Sequence, residues 1–524
     1  MILIICEKYR ISKAVAEALK ATEKVHHGIY ANDDITVAFV RKNFISFPSL
    51  EEMAGGALPY VPGSYRMRVT DKETDRMFKR LFHAAKEVVF ASPEGAEAQA
   101  RFFNLCRHFR VGQPTSRMWL TRLDSGSIKA AYSHREKGRV LHDLAQSGLV
   151  AKGTDLLFGY NFSRVLDRWF YDNKTISRKE AVAMAYIGRL SSAATEMRNA
   201  PDQYRIHLNT GGLHLVSEMS FSSEVECAHA ASEIPVGETV NARLSVTDAT
   251  PKIHLYTMLT LQMDAFDNLG FLPSKTLRTA TRLFEAGLIT SPYTDGDGHH
   301  ITITGPLLPT CSKNECRLYN LIQGRMLAVA MQSDAQQSAL FSTEIAGMRF
   351  ARRWQLKHPK PEYIGSSEQE YEITSVSVLP EHKKCRISFA FSAILANLHR
   401  YYTTNTCSIP RIPYCEFAHE WGTVLESLAA KGFIEIVDGN IRLTSEGNRL
   451  VIDIDPYELE NDLLCPSFDP GMVLIGKIKG RNAVKHFEDW LTHIVGSILK
   501  YVPKEEIRPV GTIKTGDVEF MPEK

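Results

Sequence analysis

Gly287-Leu288-Ile289-Thr290-Ser291-Pro292-Tyr293-Thr294-Asp295 follows directly on a run with helical spacing. From Ser274 to Ala286, opening after Pro273, the apolar residues Leu277, Ala280 and Phe284 share one helical face. That pattern predicts a helix closed by Gly287, after which the chain turns into a loop holding Ser291, Tyr293 and Asp295.

Working outward, Ile2-Leu3-Ile4-Ile5-Cys6 is a continuous apolar run, which predicts a strand buried on both faces, with a helix from about Ser12 to Leu19 behind it. Val88-Val89-Phe90-Ala91 repeats the pattern before a second helical stretch through Glu97 and Phe102. Units of this kind form parallel α/β layers, whose ligands sit at the carboxyl ends of the strands. Glu7 and the loop from Ser92 to Glu97 lie at those ends. Residues from about Leu144 to Ala194 read as helical and those from about Tyr204 to Thr247 as strands. Helices return between Leu255 and Ala286 and between Asn314 and Gln332, and Pro359 to Ser388 reads as strand-rich. From Phe389 to Val502 the pattern is helical around one hairpin, 432–436 with 441–444, a combination that suggests a winged-helix unit.

The 524 residues are 44% hydrophobic and 23% charged, the composition of a globular protein of several domains. No apolar run is long enough to span a bilayer, and the apolar start is too short for a signal peptide, so the expected location is cytoplasmic, with no membrane partner. Nine cysteines without any C-x-x-C pair argue against a disulfide framework and against zinc ribbons; Cys311 and Cys316 match no metal-ligand spacing. A net charge of +2 does not announce a nucleic-acid partner. Local clusters do: Arg349, Arg352, Arg353, Lys357 and Lys360 interleave with Phe350 and Trp354, Arg107 and Arg110 flank Phe109, and Lys477, Lys479 and Arg481 form a third. Cations beside aromatic faces suit single-stranded DNA, although each cluster alone also reads as a solvated face.

The loop after Gly287 resembles the active-site motif of type IA DNA topoisomerases. In that family the residues after Gly-Leu-Ile-Thr read Tyr, Pro or Met, Arg, then Ser or Thr and Asp, and the tyrosine attacks a DNA phosphodiester. Ile5-Cys6-Glu7-Lys8 is similar to the opening of the Toprim domain, in which a strand delivers a glutamate and, in the topoisomerase III branch, a lysine to the scissile phosphate. Arg117-Met118-Trp119-Leu120-Thr121 resembles the close of that domain, and Gly159 to Arg164 a helix start bearing asparagine and arginine. Gly188-Arg189-Leu190, Leu261-Gln262, Thr444 to Gly447 and Trp490 to Ile494 follow in the family's order, so the resemblance spans about residues 1 to 500. It implies a multidomain α/β plus α fold: a Toprim parallel α/β domain, a strand-rich arch and helical winged-helix-like domains in a toroidal architecture. The implied division is 1–145 Toprim-like, 146–205 helical DNA-groove domain, 206–266 and 351–395 strand-rich arch, 267–350 nucleophile-loop domain, 396–505 winged-helix-like and 506–524 tail.

The departures fall on chemistry. The tyrosine position holds Ser291 and the arginine position Tyr293, and the downstream histidine corresponds to His299 or His300. The family's magnesium-binding aspartates correspond to Pro93 and Gly95, which leaves Glu97, with Glu7 and Glu94, for at most a weakly held Mg²⁺. A phenol with pKa near 10 leaves far more readily than an aliphatic alcohol, so serine suits reversible phosphoryl transfer poorly. The leading expectation is a pseudoenzyme that binds single-stranded DNA without cutting it. Arg117, Asn161, Arg164, Arg189 and Gln262 are carried over as groove contacts, and Glu7 and Lys8 as the best remaining active-site residues. One alternative is an active, ATP-independent type IA topoisomerase that uses Tyr293 with a metal site of Glu7, Glu94 and Glu97. The other is a scaffold for an unknown protein partner that does not bind DNA.

Overall fold

In this computed structural model the described residues are 1–46, 68–69, 71–93, 95–168, 175–199, 202–248, 253–293, 300–331, 337–355, 365–381, 387–405 and 420–453. They divide into two compact units, one from 1–189, 255–325 and 388 onward, the other from 190–254 and 326–387.

The first unit opens with β1 (Ile2–Cys6), α1 (Tyr9–Ala18), β2 (Glu23–His26), β3 (Ile29–Ala31), β4 (Ile35–Phe39), β5 (Ile45–Ser46) and β6 (Arg68–Val69). It continues through α2 (Lys72–Ala84), β7 (Glu87–Ser92), α3 (Ala96–His108), β8 (Thr115–Trp119), α4 (Ser125–Ser133) and β9 (Glu136–Lys137). Seven of these strands form one sheet in the order β2-β3-β4-β1-β7-β8-β9. Its centre is parallel: β1 pairs with β4 and with β7, and β7 with β8, Ile5 lying opposite both Ala38 and Phe90. The continuous apolar runs follow from this position, because Leu3, Ile4, Val88 and Val89 are fully buried in strands covered on both faces. Phenylalanines join α2 to α3 and α3 to the sheet: Phe82 of α2 stacks on Phe109 at the end of α3 at 4.6 Å, and Phe90 of β7 on Phe102 of α3 at 4.8 Å between ring centroids. Helix α1 begins earlier than expected, at Tyr9, and the Ser12 hydroxyl donates back to the Tyr9 carbonyl inside its first turn.

Two long helices, α5 (Arg139–Arg168) and α6 (Arg178–Asn199), account for the helical stretch expected over 144–194. The second unit contains β10 (Gln203–Thr210), β11 (His214–Ser217), α7 (Glu224–Ser232), β12 (Thr239–Asp248), β13 (Gln337–Ile345), β14 (Met348–Gln355) and β15 (Gly365–Glu381). Its strands close into a barrel, β10-β11-β14-β13-β12-β15. Strand β15 closes it by pairing with β12 through its first half and with β10 through its second. Ile206, Leu208, Leu215, Phe350 and Ile373 fill the interior. Phe350 is therefore a core residue and not the base-stacking face expected from its arginine neighbours; alternation along β14 leaves Arg349 and Arg353 exposed and turns Phe350 inward.

The first unit resumes with α8 (Met258–Leu269), α9 (Pro273–Glu285) and α10 (Lys313–Ala330), then α11 (Phe391–Asn405), α12 (Glu420–Ala430), β16 (Ile434–Val437), β17 (Asn440–Leu443) and α13 (Ser445–Asp453). The expected hairpin is present, with Val437 opposite Asn440 and Asp438-Gly439 at its turn, both at positive φ. The basic cluster at 477–481, the motif at 490–494, Lys357, Lys360, Glu94 and His299 lie outside the described residues.

Candidate functional site

Helix α9 starts with Pro273 in its first turn, where a missing N–H is harmless, and ends as the sequence predicts. Gly287, at φ +73°, supplies the left-handed residue, and Leu288 N–H donates to the Leu283 carbonyl at 2.9 Å. The loop that follows is clamped along its length. Thr290 N–H donates to the Thr302 carbonyl at 2.9 Å, the Thr290 hydroxyl to the His300 carbonyl at 2.7 Å, and Ser291 N–H to the Thr121 carbonyl beyond β8 at 2.9 Å. Leu288, Ile289 and Ser291 are buried beneath it.

Ser291 is 2% exposed, and its hydroxyl accepts the backbone N–H of Tyr293 at 3.1 Å. This is a local turn closed by a serine side chain, which commits the oxygen to the backbone. The same turn carries the half-buried Tyr293 ring to the carboxyl end of β1. There Lys8 Nζ donates to Tyr293 Oη at 2.8 Å, and the Thr281 hydroxyl of α9 lies 2.7 Å from the same oxygen. The ammonium is also 4.5 Å from the Tyr293 ring centroid and 3.6 Å from the Glu285 carboxylate. Beside this contact α9 borders an open cleft of about 420 Å³, lined by Ser274, Leu277, Arg278, Thr281, Arg282, Glu285, Tyr293 and Thr423. Arg278 and Arg282 are exposed, one helical turn apart.

The other β1-end residue faces a different partner. Arg101 of α3 donates from Nε and Nη2 to the two oxygens of Glu7, at 2.7 and 2.9 Å, a bidentate pair. Its Nη1 is 3.8 Å from Glu97, four residues earlier on the same helix. Glu97 also contributes to a second cation: burial works against the charge of Lys179, but Glu420, Asp155 and Glu97 outweigh it and push the lysine pKa up. Pro93 and Gly95 stand where the resemblance places aspartates, and the Gly95 carbonyl accepts from Arg117 Nη1 at 3.4 Å. These residues do not fit the magnesium that the resemblance implies. Both oxygens of Glu7 are taken by a guanidinium, and the notch around Glu7 and Arg101 holds about 20 Å³, room for roughly one water molecule. Magnesium keeps several waters in a strict octahedron. Among the described residues no group of three or more His, Cys, Asp or Glu side chains is arranged to hold a metal ion.

The expected groove contacts separate by burial. Arg117 is completely buried; its guanidinium lies 3.6 Å from the Trp119 ring and donates to Gln99 Oε1 at 2.7 Å, so it braces α3 against β8. Asn161 on α5 is 1% exposed, and Gln262 on α8 is fully buried, with its amide against Gly422 of α12. Arg189 on α6 is exposed, Arg164 follows Asn161 on α5, and His300 is half-buried at the head of the segment that clamps the loop. Arg101, Thr281, Glu285 and Arg282 are site residues that the sequence reading passed over. Their signal was faint: Glu97 and Arg101, and likewise Thr281 and Glu285, are four apart on single helices.

No family model matches the chain. Curated relatives do: the DNA topoisomerase 3 of several Staphylococcus aureus strains is 20% identical over 598 aligned positions, covering 95% of this chain and 82% of the relative. Among solved structures, full-length topoisomerase I from Thermotoga maritima superposes with a TM-score of 0.63 at 16% identity, over 94% of this chain and 90% of that one. The chain is type IA topoisomerase-like. The similarity runs through both compact units, and the multidomain α/β plus α architecture is that of the type IA fold. Within this topoisomerase-like chain, no described helix is long and apolar enough to cross a membrane.

Proposed function

We propose that this topoisomerase-like protein binds single-stranded DNA in the cleft beside α9 and does not cut it through Ser291. The observation that carries the second half is the engagement of Ser291, buried to 2% with its hydroxyl on the Tyr293 backbone N–H. An alcohol buried there and engaged by the backbone is poorly placed for nucleophilic attack, and an alkoxide is a poorer leaving group than a phenolate for the reverse step. Binding is supported by the cleft itself, which Arg278, Arg282 and Tyr293 line together, cations and an aromatic side chain in one cleft. The relatives' name, DNA topoisomerase 3, points to the same class of polymer. Fluorescence anisotropy of a labelled oligothymidylate across a salt series tests this reading. Affinity that falls steeply with salt supports it, whereas no binding even at low salt contradicts it and favours a protein-interaction scaffold.

One contact favours a second reading, cleavage by Tyr293. Its Oη would attack a phosphodiester phosphorus, forming a tyrosyl phosphate and breaking the bond to the 3′ oxygen, which leaves as a hydroxyl after taking up a proton. Lys8, at 2.8 Å from Oη, is the nearest cation for the developing charge. Substituting Tyr293→Phe separates the readings, since it abolishes any cleavage of this kind and leaves binding in place.

A further inference from the structure

We infer that Arg101 is the resident cation of the β1 end, standing in the place where relatives of this fold would put a divalent metal, and that it makes DNA binding here independent of such metals. The inference rests in part on the binding reading above. Glu7 adjoins Lys8, whose ammonium reaches Tyr293 of the cleft, and carboxylates near bound phosphate repel it unless a positive charge lies between them. In this chain that charge is covalently attached. Arg101 spans Glu7, through two hydrogen bonds of 2.7 and 2.9 Å, and Glu97, at 3.8 Å. The Glu7 side chain is 9% exposed, so its pairing is shielded from solvent ions far better than a surface bridge.

Three further features agree. Arg41 and Lys42 line the same notch, which adds cations where a metal-binding site would add carboxylates. Arg117 donates to the Gly95 carbonyl at 3.4 Å, so a guanidinium also lies at a position where the resemblance places an aspartate. The field of Glu97 is shared with Lys179. A divalent ion entering this notch would have to displace a bidentate guanidinium and meet its charge at contact distance. The arrangement therefore rejects the metal and keeps the electrostatic service the metal would give.

The experiment has two arms on the full chain. In the first, free Mn²⁺ is measured by electron paramagnetic resonance during titration of the wild type, Glu7→Gln, Arg101→Gln and the double variant. The expected result is equal Mn²⁺ uptake by wild type and Glu7→Gln, with added uptake in Arg101→Gln that the double variant loses. Tight uptake by the wild type that Glu7→Gln removes overturns the proposal. In the second, oligothymidylate affinity is compared in EDTA and in Mg²⁺ at matched ionic strength. The wild type is expected to change less than about twofold, and Arg101→Gln to weaken about tenfold in EDTA with recovery in Mg²⁺. Equal affinity of the two proteins in EDTA contradicts the proposal. Arg101→Lys, which keeps the charge, is expected to stay near wild type in EDTA and serves if the glutamine variant does not fold. Failure of every protein to bind the oligonucleotide refutes the binding reading, and the metal titration then still decides the role of Arg101.

Discussion

Lys8 and Tyr293, 285 positions apart in the chain, meet at 2.8 Å from Nζ to Oη. The contact joins the end of the central strand β1 to the loop leaving α9, and it forms because a serine-closed turn at Ser291 aims the tyrosine at the strand end. Lys8 is shared with Glu285 at 3.6 Å, so the phenol, the ammonium and the carboxylate constitute one partly buried polar group at the cleft.

On the proposed binding reading, Tyr293 serves DNA through its ring. Replacing it with phenylalanine should leave oligothymidylate affinity within about twofold, whereas Tyr293→Ala should weaken it about tenfold, the order expected for one lost stacking platform. Anisotropy titrations of both variants check this; equal losses in the two would show that the hydroxyl, not the ring, matters.

On the same reading, Arg278 and Arg282 meet phosphates. Each alanine substitution should reduce the slope of log affinity against log salt by about 0.7, the contribution of one neutralised phosphate on a single strand. An unchanged slope in both variants would place the DNA elsewhere.

Ser291 is structural. Ser291→Ala should remain soluble and bind DNA normally, with a loss of about 1 kcal/mol for one turn-closing hydrogen bond. Ser291→Tyr, which writes the family's residue back into the sequence, should overpack a buried position and lower the unfolding midpoint without producing a covalent DNA adduct. Differential scanning fluorimetry and a denaturing gel read the two effects.

Gly148 sets the position of α3. A Cβ there would run into the Ala96 carbonyl inside van der Waals distance, because α5 crosses α3 at its first turn. Gly148→Ala should destabilise by about 1–3 kcal/mol and displace Glu97 and Arg101 with the helix. An unfolding midpoint equal to wild type would argue against so close a crossing.

Acid sensitivity should appear at Glu87. Hydrogen bonds from Arg135, then from Ser116 and Lys137, outweigh burial and hold its pKa at about 2 instead of the usual 4.5. A lowered folded-state pKa stabilises above the unfolded value and fades as pH falls through the folded one. Glu87→Gln should therefore lower the unfolding midpoint at pH 7, with the difference shrinking between about pH 4.5 and pH 2. A difference independent of pH would assign the effect to packing.

The fold was legible wherever burial dictates the residue. Ile2 to Cys6 and Val88 to Ala91 announced central strands because strands covered on both faces carry no polar alternation. Pro273 and Gly287 marked the ends of α9 because each supplies a backbone state that other residues take up at a cost. The closure of the barrel was not legible, since the pairing of β15 with both β10 and β12 depends on contacts distant in sequence. The contacts at the candidate site were not legible from the sequence. Glu7, Lys8 and Tyr293 were named, but nothing local reveals that Arg101 takes Glu7 and that Tyr293 takes Lys8. Burial was the other blind spot: Arg117, Asn161 and Gln262 are polar residues whose types suggest a groove, and their side chains lie inside the protein.

The most direct test is incubation of a 3′-labelled single-stranded oligonucleotide with the protein, in EDTA and in Mg²⁺, followed by a denaturing protein gel and a native gel in parallel. A shifted native band in both conditions and no label on the denatured protein are expected. A labelled protein band that disappears in Tyr293→Phe would contradict the proposed function and make Tyr293 the nucleophile of an active enzyme.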